Sequence, residues 1–242
     1  MNTIKALIFD VDGTLAETER DGHRPAFNAA FADFGLDWHW DEALYGELLA
    51  VTGGKERMRF YAERYAPDML ARPDFPELVK QLHLAKTAHY VRIVEQGGLP
   101  LRPGVARLIQ EARLSGLRLA IATTTSPENV DALLRASLDP DGANWFEVIG
   151  AGDVVPAKKP APDIYQWVLE RLDLPASDCL AIEDSENGLK SALTAGVPCL
   201  ITIGEYTRGQ DFSGACAVLE DLGDTALVDL ARLADSGNPV RG

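Results

Sequence analysis

Two pairs of carboxylates stand where chemistry needs them. Asp10 and Asp12 lie two residues apart in the run DVDGT, directly after an apolar stretch at residues 4–9. Side chains at that spacing can point the same way as a strand runs out. Like charges so close repel, so they want a cation, and hard carboxylate oxygens suit Mg²⁺. A bare Asp-Gly turn is the plainer alternative. Glu183 and Asp184 form the second pair, at the end of CLAIEDS. Adjacent carboxylates after a buried strand are costly unless paired or metal-bound, whereas Ser185 reads equally well as a helix cap. Thr123, with Thr124 and Thr125 behind it, offers hydroxyls and amides beside a helix start, which suits a phosphate. Ser126 followed by Pro127 reads as an N-cap with proline at the first helical position. In Lys158-Lys159-Pro160-Ala161-Pro162-Asp163 the prolines stiffen a loop, and a lysine held there can balance a phosphate and a carboxylate. The two lysines could also be a solvated pair. Taken together, the four clusters suit phosphoryl transfer through a covalent aspartyl intermediate.

The elements that must position these groups follow from apolar patterning. Residues 4–9, 117–122, 146–149, 180–182 and 197–203 read as short buried strands. Helical patterns at 105–114, 127–136, 163–172 and 188–195 alternate with them. The expected fold class is therefore α/β, a Rossmann-like parallel-sheet core with helices on both faces. Ligands of such sheets bind beyond the carboxyl ends of the strands, where all four clusters fall. Residues 17–95 break the alternation with helix after helix, at 26–34, 41–49, 55–65 and 75–94. They predict an inserted α-helical cap domain at 17–95, with 1–16 and 96–242 forming the catalytic core. Gly97, Gly98 and Pro100 mark the turn back. The polar, breaker-rich tail SGNPVRG is expected to fray.

Composition narrows the function. The 242 residues are enough for one large domain, or one carrying a smaller one. With 23 Lys and Arg against 37 Asp and Glu, the net charge is −14. That balance excludes nucleic acid as the main partner and disfavours an anionic membrane surface. A small anionic substrate then needs a local cluster of basic groups. No stretch reads as a signal peptide or membrane span, so the expectation is a cytoplasmic protein. Cys179, Cys199 and Cys216 read as small buried hydrophobes.

The ordered set DVDGT, Thr123, KKPAPD and IEDS resembles the haloacid dehalogenase superfamily over nearly the whole chain. The KPAPD form and the helical insert are similar to its β-phosphoglucomutase-like branch. Within that branch, DVDGTLAETERDGHR and TGGKERMRFY look most like the CbbY family of xylulose-1,5-bisphosphate phosphatases. These serve the Calvin cycle by removing a tight-binding inhibitor of Rubisco. The resemblance implies that Asp10 is the nucleophile and Asp12 the general acid, then base. It implies that the Asp10 carboxylate, the Asp12 main-chain carbonyl and the Asp184 carboxylate hold Mg²⁺ with Glu183 nearby, and that Thr123 and Lys159 hold the transferring phosphoryl oxygens. Such an acid must start protonated, so the Asp12 pKa is expected to be raised at the working site. Dehalogenases of the superfamily lack the second aspartate, so Asp12 points to phosphate chemistry.

For the substrate, the resemblance implies Glu17, His23, Lys55 and Lys86 as cap or hinge contacts, His23 with a one-residue offset from the mutase pattern. Thr124 joins Thr123 on the substrate side. Gly53-Gly54, with Lys55 and Arg57 beside it, could let backbone amides approach a second phosphate, or could be a helix-start turn with a solvated face. Trp38 and Trp40 are expected to pack the cap. The leading expectation is a monomeric Mg²⁺-dependent phosphatase for a small sugar bisphosphate. A β-phosphoglucomutase-type phosphosugar mutase would use the same residues, and an inactive binding protein is the distant alternative.

Overall fold

The computed structural model describes residues 4–97 and 99–230. Gly98 and the SGNPVRG tail lie outside the described residues. Six strands form one parallel sheet: β1 (Ala6–Phe9), β2 (Arg118–Ala122), β3 (Val148–Gly150), β4 (Cys179–Glu183), β5 (Cys199–Thr202) and β6 (Ala217–Leu219). Their order is β3-β2-β1-β4-β5-β6. β1 is central, pairing Phe9 with Ile121 of β2 and with Ile182 of β4. Its four residues are all buried, as expected of an apolar run covered on both faces. This is the Rossmann-like α/β architecture expected.

Helices α5 (Val105–Leu114), α6 (Pro127–Ser137), α7 (Asp163–Leu172) and α8 (Glu186–Thr194) cover the sheet. The sheet's alternating side chains divide into two cores, one built around Leu7, Phe9, Leu119 and Ile121, the other around Ala6, Ile8, Tyr165 and Val168. All three cysteines are buried and free. β6 lies outside the expected elements. It is three residues long, and no helix precedes it to mark the crossover. Ser126 sits at the N-cap of α6, but its side chain makes no capping bond. Its backbone carbonyl instead accepts from Asn129 N at 3.0 Å.

Between β1 and α5 the chain is helical. α1 (Arg24–Asp33), α2 (Glu42–Leu48), α3 (Gly54–Tyr65) and α4 (Phe75–Glu95) enclose a third core of Phe27, Phe31, Trp38, Trp40, Tyr45 and Met58. Asp41 caps α2 by accepting from Leu44 N at 2.8 Å. Asn28 pins the Trp40 backbone, donating to its carbonyl at 2.9 Å and accepting from its N–H at 2.8 Å. Both tryptophans thus pack this core. Among the described residues no helix is long and apolar enough to cross a membrane.

Candidate active site

The central strand delivers the first carboxylate pair to the carboxyl edge of the sheet. Asp10 N donates to Ile182 O at 3.0 Å, which extends the ladder one residue past β1. The chain then turns back on itself, Leu15 N to Val11 O at 2.8 Å and Gly13 N to Ala16 O at 2.8 Å. Gly13 has φ +80°, and a Cβ there would lie 2.2 Å from Asp184 Oδ2. Only glycine lets the first and fourth clusters approach so closely. The neighbouring strand end supplies Thr123, whose N–H reaches Gly150 O at 2.9 Å.

Lys159 ties the clusters together. Its Nζ donates to Asp10 Oδ1 at 2.7 Å, Glu183 Oε1 at 2.6 Å and Ala122 O at 2.8 Å. Lys158 turns the other way, to Gly152 O and Asp153. Glu183 is fully buried, and its Oε1 also accepts from the Tyr165 hydroxyl at 2.5 Å. Tyr165, on α7, carried no sign in the sequence beyond an apolar helical position. Oxygens of Asp10, Glu183 and Asp184 lie within 4.8 Å of one another. Glu183 Oε2 is buried with no hydrogen-bond partner among the described residues. Hard oxygens, mutual repulsion and an unfilled acceptor fit a divalent cation.

Burial and mutual charge act on the same carboxyls. Burial, aided by the charges of Glu183 and Asp12 and opposed by Lys159, raises the Asp10 carboxyl to about 7. Asp184 is also pushed well up, by burial and then by Asp10 and Glu183. In the free protein Asp12 lies on the other side of its ordinary value. Burial alone would raise it, but the His23 charge, hydrogen bonds from His23 (2.8 Å) and Thr18 (2.6 Å), and Lys86 hold it well below the ordinary range. Its neighbours on the helical side are donors and cations, which favour the carboxylate form.

Asp10, Asp12, Glu17, Arg57, Thr123, Thr124, Lys159 and Asp184 all line one cavity of about 290 Å³. Glu17 is anchored by Arg102, Nε to Oε1 at 3.4 Å. Arg102 also binds the carbonyls of Gly13, Thr202, Ile203 and Glu220. It thereby clamps the Asp12–Gly13 turn to the ends of β5 and β6, a role that a lone arginine before a proline did not advertise. His23 bridges Asp12 and Lys86, whose Nζ lies 2.8 Å from its Nδ1. Residues Glu19–His23 form a π-turn. Such a turn holds one residue more than an α-turn. Gly53 and Gly54 open α3 beside His23, Arg57 and Lys86 in a small adjoining pocket. Lys55 is not among the residues lining the main cavity. It is paired with Asp153 on its outer flank. Glu19 and Tyr206, which sequence reasoning passed over, do line it.

The haloacid dehalogenase-like hydrolase family matches residues 4–196. The chain belongs to that family. This hydrolase is 54% identical to protein CbbY of Cupriavidus necator over 223 residues, covering 92% of this chain and 87% of that protein. Its structure resembles a crystal structure of a CbbY variant from Rhodobacter sphaeroides in complex with xylulose-1,5-bisphosphate, with TM-score 0.87, 45% identity, and 94% and 99% of the two chains covered. A β-phosphoglucomutase from Clostridium difficile shares the fold at TM-score 0.79 and 18% identity, over 96% of this chain and 98% of that one. The expectation of a phosphatase-type hydrolase of the CbbY kind stands.

Proposed function

We propose that this hydrolase is a Mg²⁺-dependent phosphatase of a small sugar bisphosphate, with xylulose-1,5-bisphosphate as its substrate. The observation that carries the reading is one cavity that presents Asp10, Asp184 and Lys159 and, from the helical side, the Arg57 guanidinium. A ligand with phosphate at both ends finds a cationic group for each. A CbbY relative bound to that bisphosphate supports the choice.

Asp10 attacks phosphorus and carries the phosphoryl group as an aspartyl phosphate. Lys159 and Thr123 hold the transferring oxygens in line. The Asp10 and Asp184 carboxylates and the Asp12 main-chain carbonyl would hold Mg²⁺, with Glu183 nearby, and the ion would supply charge neutralisation at the transferring group. Asp12 protonates the departing sugar oxygen. The arriving phosphate dianion disfavours its ionised form, so Asp12 takes up its proton as substrate binds. It later accepts a proton from the attacking water. Residues 17–95 act as a cap that brings Glu17, His23, Lys86 and Arg57 to the substrate and excludes bulk water. Lys55 contributes through its tie to Asp153, which holds the cap against the core.

Phosphate release with Mg²⁺ from xylulose-1,5-bisphosphate, ribulose-1,5-bisphosphate, fructose-1,6-bisphosphate and glucose-1-phosphate tests the reading. Release is expected to be fastest from the first. Interconversion of sugar phosphates without release would favour a mutase, and no release from any of them would overturn the proposal.

The metal assignment has its own check. A carboxyl that holds its proton more tightly in the folded chain stabilises the fold at low pH, and that contribution is lost as pH rises through the folded value. For Asp10 the window runs from 3.8 to about 7. Mg²⁺ competes with those protons. The rise in melting temperature on adding Mg²⁺ to metal-free protein is expected to be larger at pH 8 than at pH 6. An equal rise at both values would place the ion elsewhere.

A further inference from the structure

Arg57 is hydrogen-bonded from outside its own helix by Tyr45 and ion-paired at longer range with Glu19. Its Nη1 donates to the Tyr45 hydroxyl at 2.9 Å, and that hydroxyl donates in turn to Glu19 Oε2. Glu19 Oε2 itself lies 3.8 Å from Arg57 Nη1, beyond hydrogen-bond length. The guanidinium also stands 5.2 Å from the centroid of the Tyr45 ring. Tyr45 is fully buried and fixed by the rings of Phe27, Trp40 and Tyr206. The Arg57 residue is only 6% exposed, yet its Nε has no hydrogen-bond partner among the described residues.

A buried guanidinium with an unused donor is costly unless something fills it. A flexible arginine left to itself would close on the nearest carboxylate, here Glu19. The tyrosine hydroxyl stands between the two, bonding both and holding the ion pair at 3.8 Å. We propose that Tyr45 is a positioning residue, wedged between Glu19 and Arg57 so that the guanidinium keeps its free donors for the phosphate that is not transferred. This rests on the bisphosphate reading above and adds to it a specificity device. The clamp sets the arginine's geometry before substrate arrives, so less side-chain freedom is lost on binding.

The test compares kcat/KM, with Mg²⁺, for xylulose-1,5-bisphosphate and for para-nitrophenyl phosphate, which lacks a second phosphate. Charge-assisted hydrogen bonds of this kind shift such ratios by about 10- to 100-fold. Tyr45→Phe is expected to lower the bisphosphate-to-monoester ratio by about tenfold through KM, as Arg57 collapses onto Glu19. Arg57→Gln is expected to lower it at least as far, and the double variant no further, since Tyr45 acts through Arg57. A merely structural tyrosine would lower both substrates alike, or add its effect to that of Arg57→Gln, and either result overturns the clamp. Arg57→Lys provides a check that leaves Tyr45 in place. Lysine keeps the charge but not the fork that Tyr45 holds, so it should also lose the ratio, and full rescue by lysine would overturn the clamp. If the wild-type protein itself shows no preference for the bisphosphate, the functional reading fails instead.

Discussion

Replacing Asp10 by asparagine is expected to lower phosphate release at least about 10⁴-fold, the scale on which loss of a catalytic nucleophile acts. The exchange keeps the size of the side chain and removes its ability to attack phosphorus. It also deletes one charge from the group of three carboxylates whose oxygens lie within 4.8 Å of one another. The fold should tolerate it. Lys159 keeps its bonds to Glu183 and to Ala122 O, and the carboxyl that burial and its neighbours disfavour as an anion is gone. The metal-free variant is therefore expected to melt no lower than wild type, while Mg²⁺ raises its melting temperature less. Turnover within tenfold of wild type would remove Asp10 from the role of nucleophile.

Lys159→Met is expected to act on stability as well as on activity. The ammonium is buried and bridges two buried carboxylates at 2.6 and 2.7 Å. Burial disfavours its charge, yet Asp10 and Glu183 raise its pKa well above the usual lysine value. Removing one partner of a buried ion pair typically costs about 3–5 kcal/mol, because the other charge is left without compensation. A loss of that size is expected in denaturant unfolding of the metal-free protein at pH 8. It should shrink at lower pH as Asp10 and Asp184 take up protons. Adding Glu183→Gln should recover a large part of it, since the amide removes one stranded charge and can still accept from Tyr165. A loss below about 1 kcal/mol would mean that water reaches the cluster and screens it.

Both effects arise where the chain was most legible. Strand ends are local features: a short apolar run, then chemistry-bearing residues within a few positions. Asp10, Asp12, Thr123, Glu183 and Asp184 could thus be read as groups on one sheet edge before any contact was known. The helical side was less legible because helices rotate about 100° per residue. Lys55 and Arg57 stand two apart on α3, so they point to nearly opposite sides. One lines the cavity, while the other is tied to Asp153 on the flank. Nothing in TGGKER says which is which until the helix is docked. The lowered pKa of Asp12 was equally hidden, since it depends on His23, Thr18 and Lys86 converging on one carboxylate.

The sequence by itself determined the α/β class, the long helical segment after the first strand and which residues at the strand ends could bear chemistry, because periodicity and residue type act over a few neighbouring positions. Only the tertiary structure decided that Lys159 bridges Asp10 to Glu183 and Ala122 O, that Tyr165 and Arg102 brace the site, and that Tyr45 stands between Glu19 and Arg57. Those outcomes depend on distances between segments far apart in the chain, which packing sets and spacing does not encode.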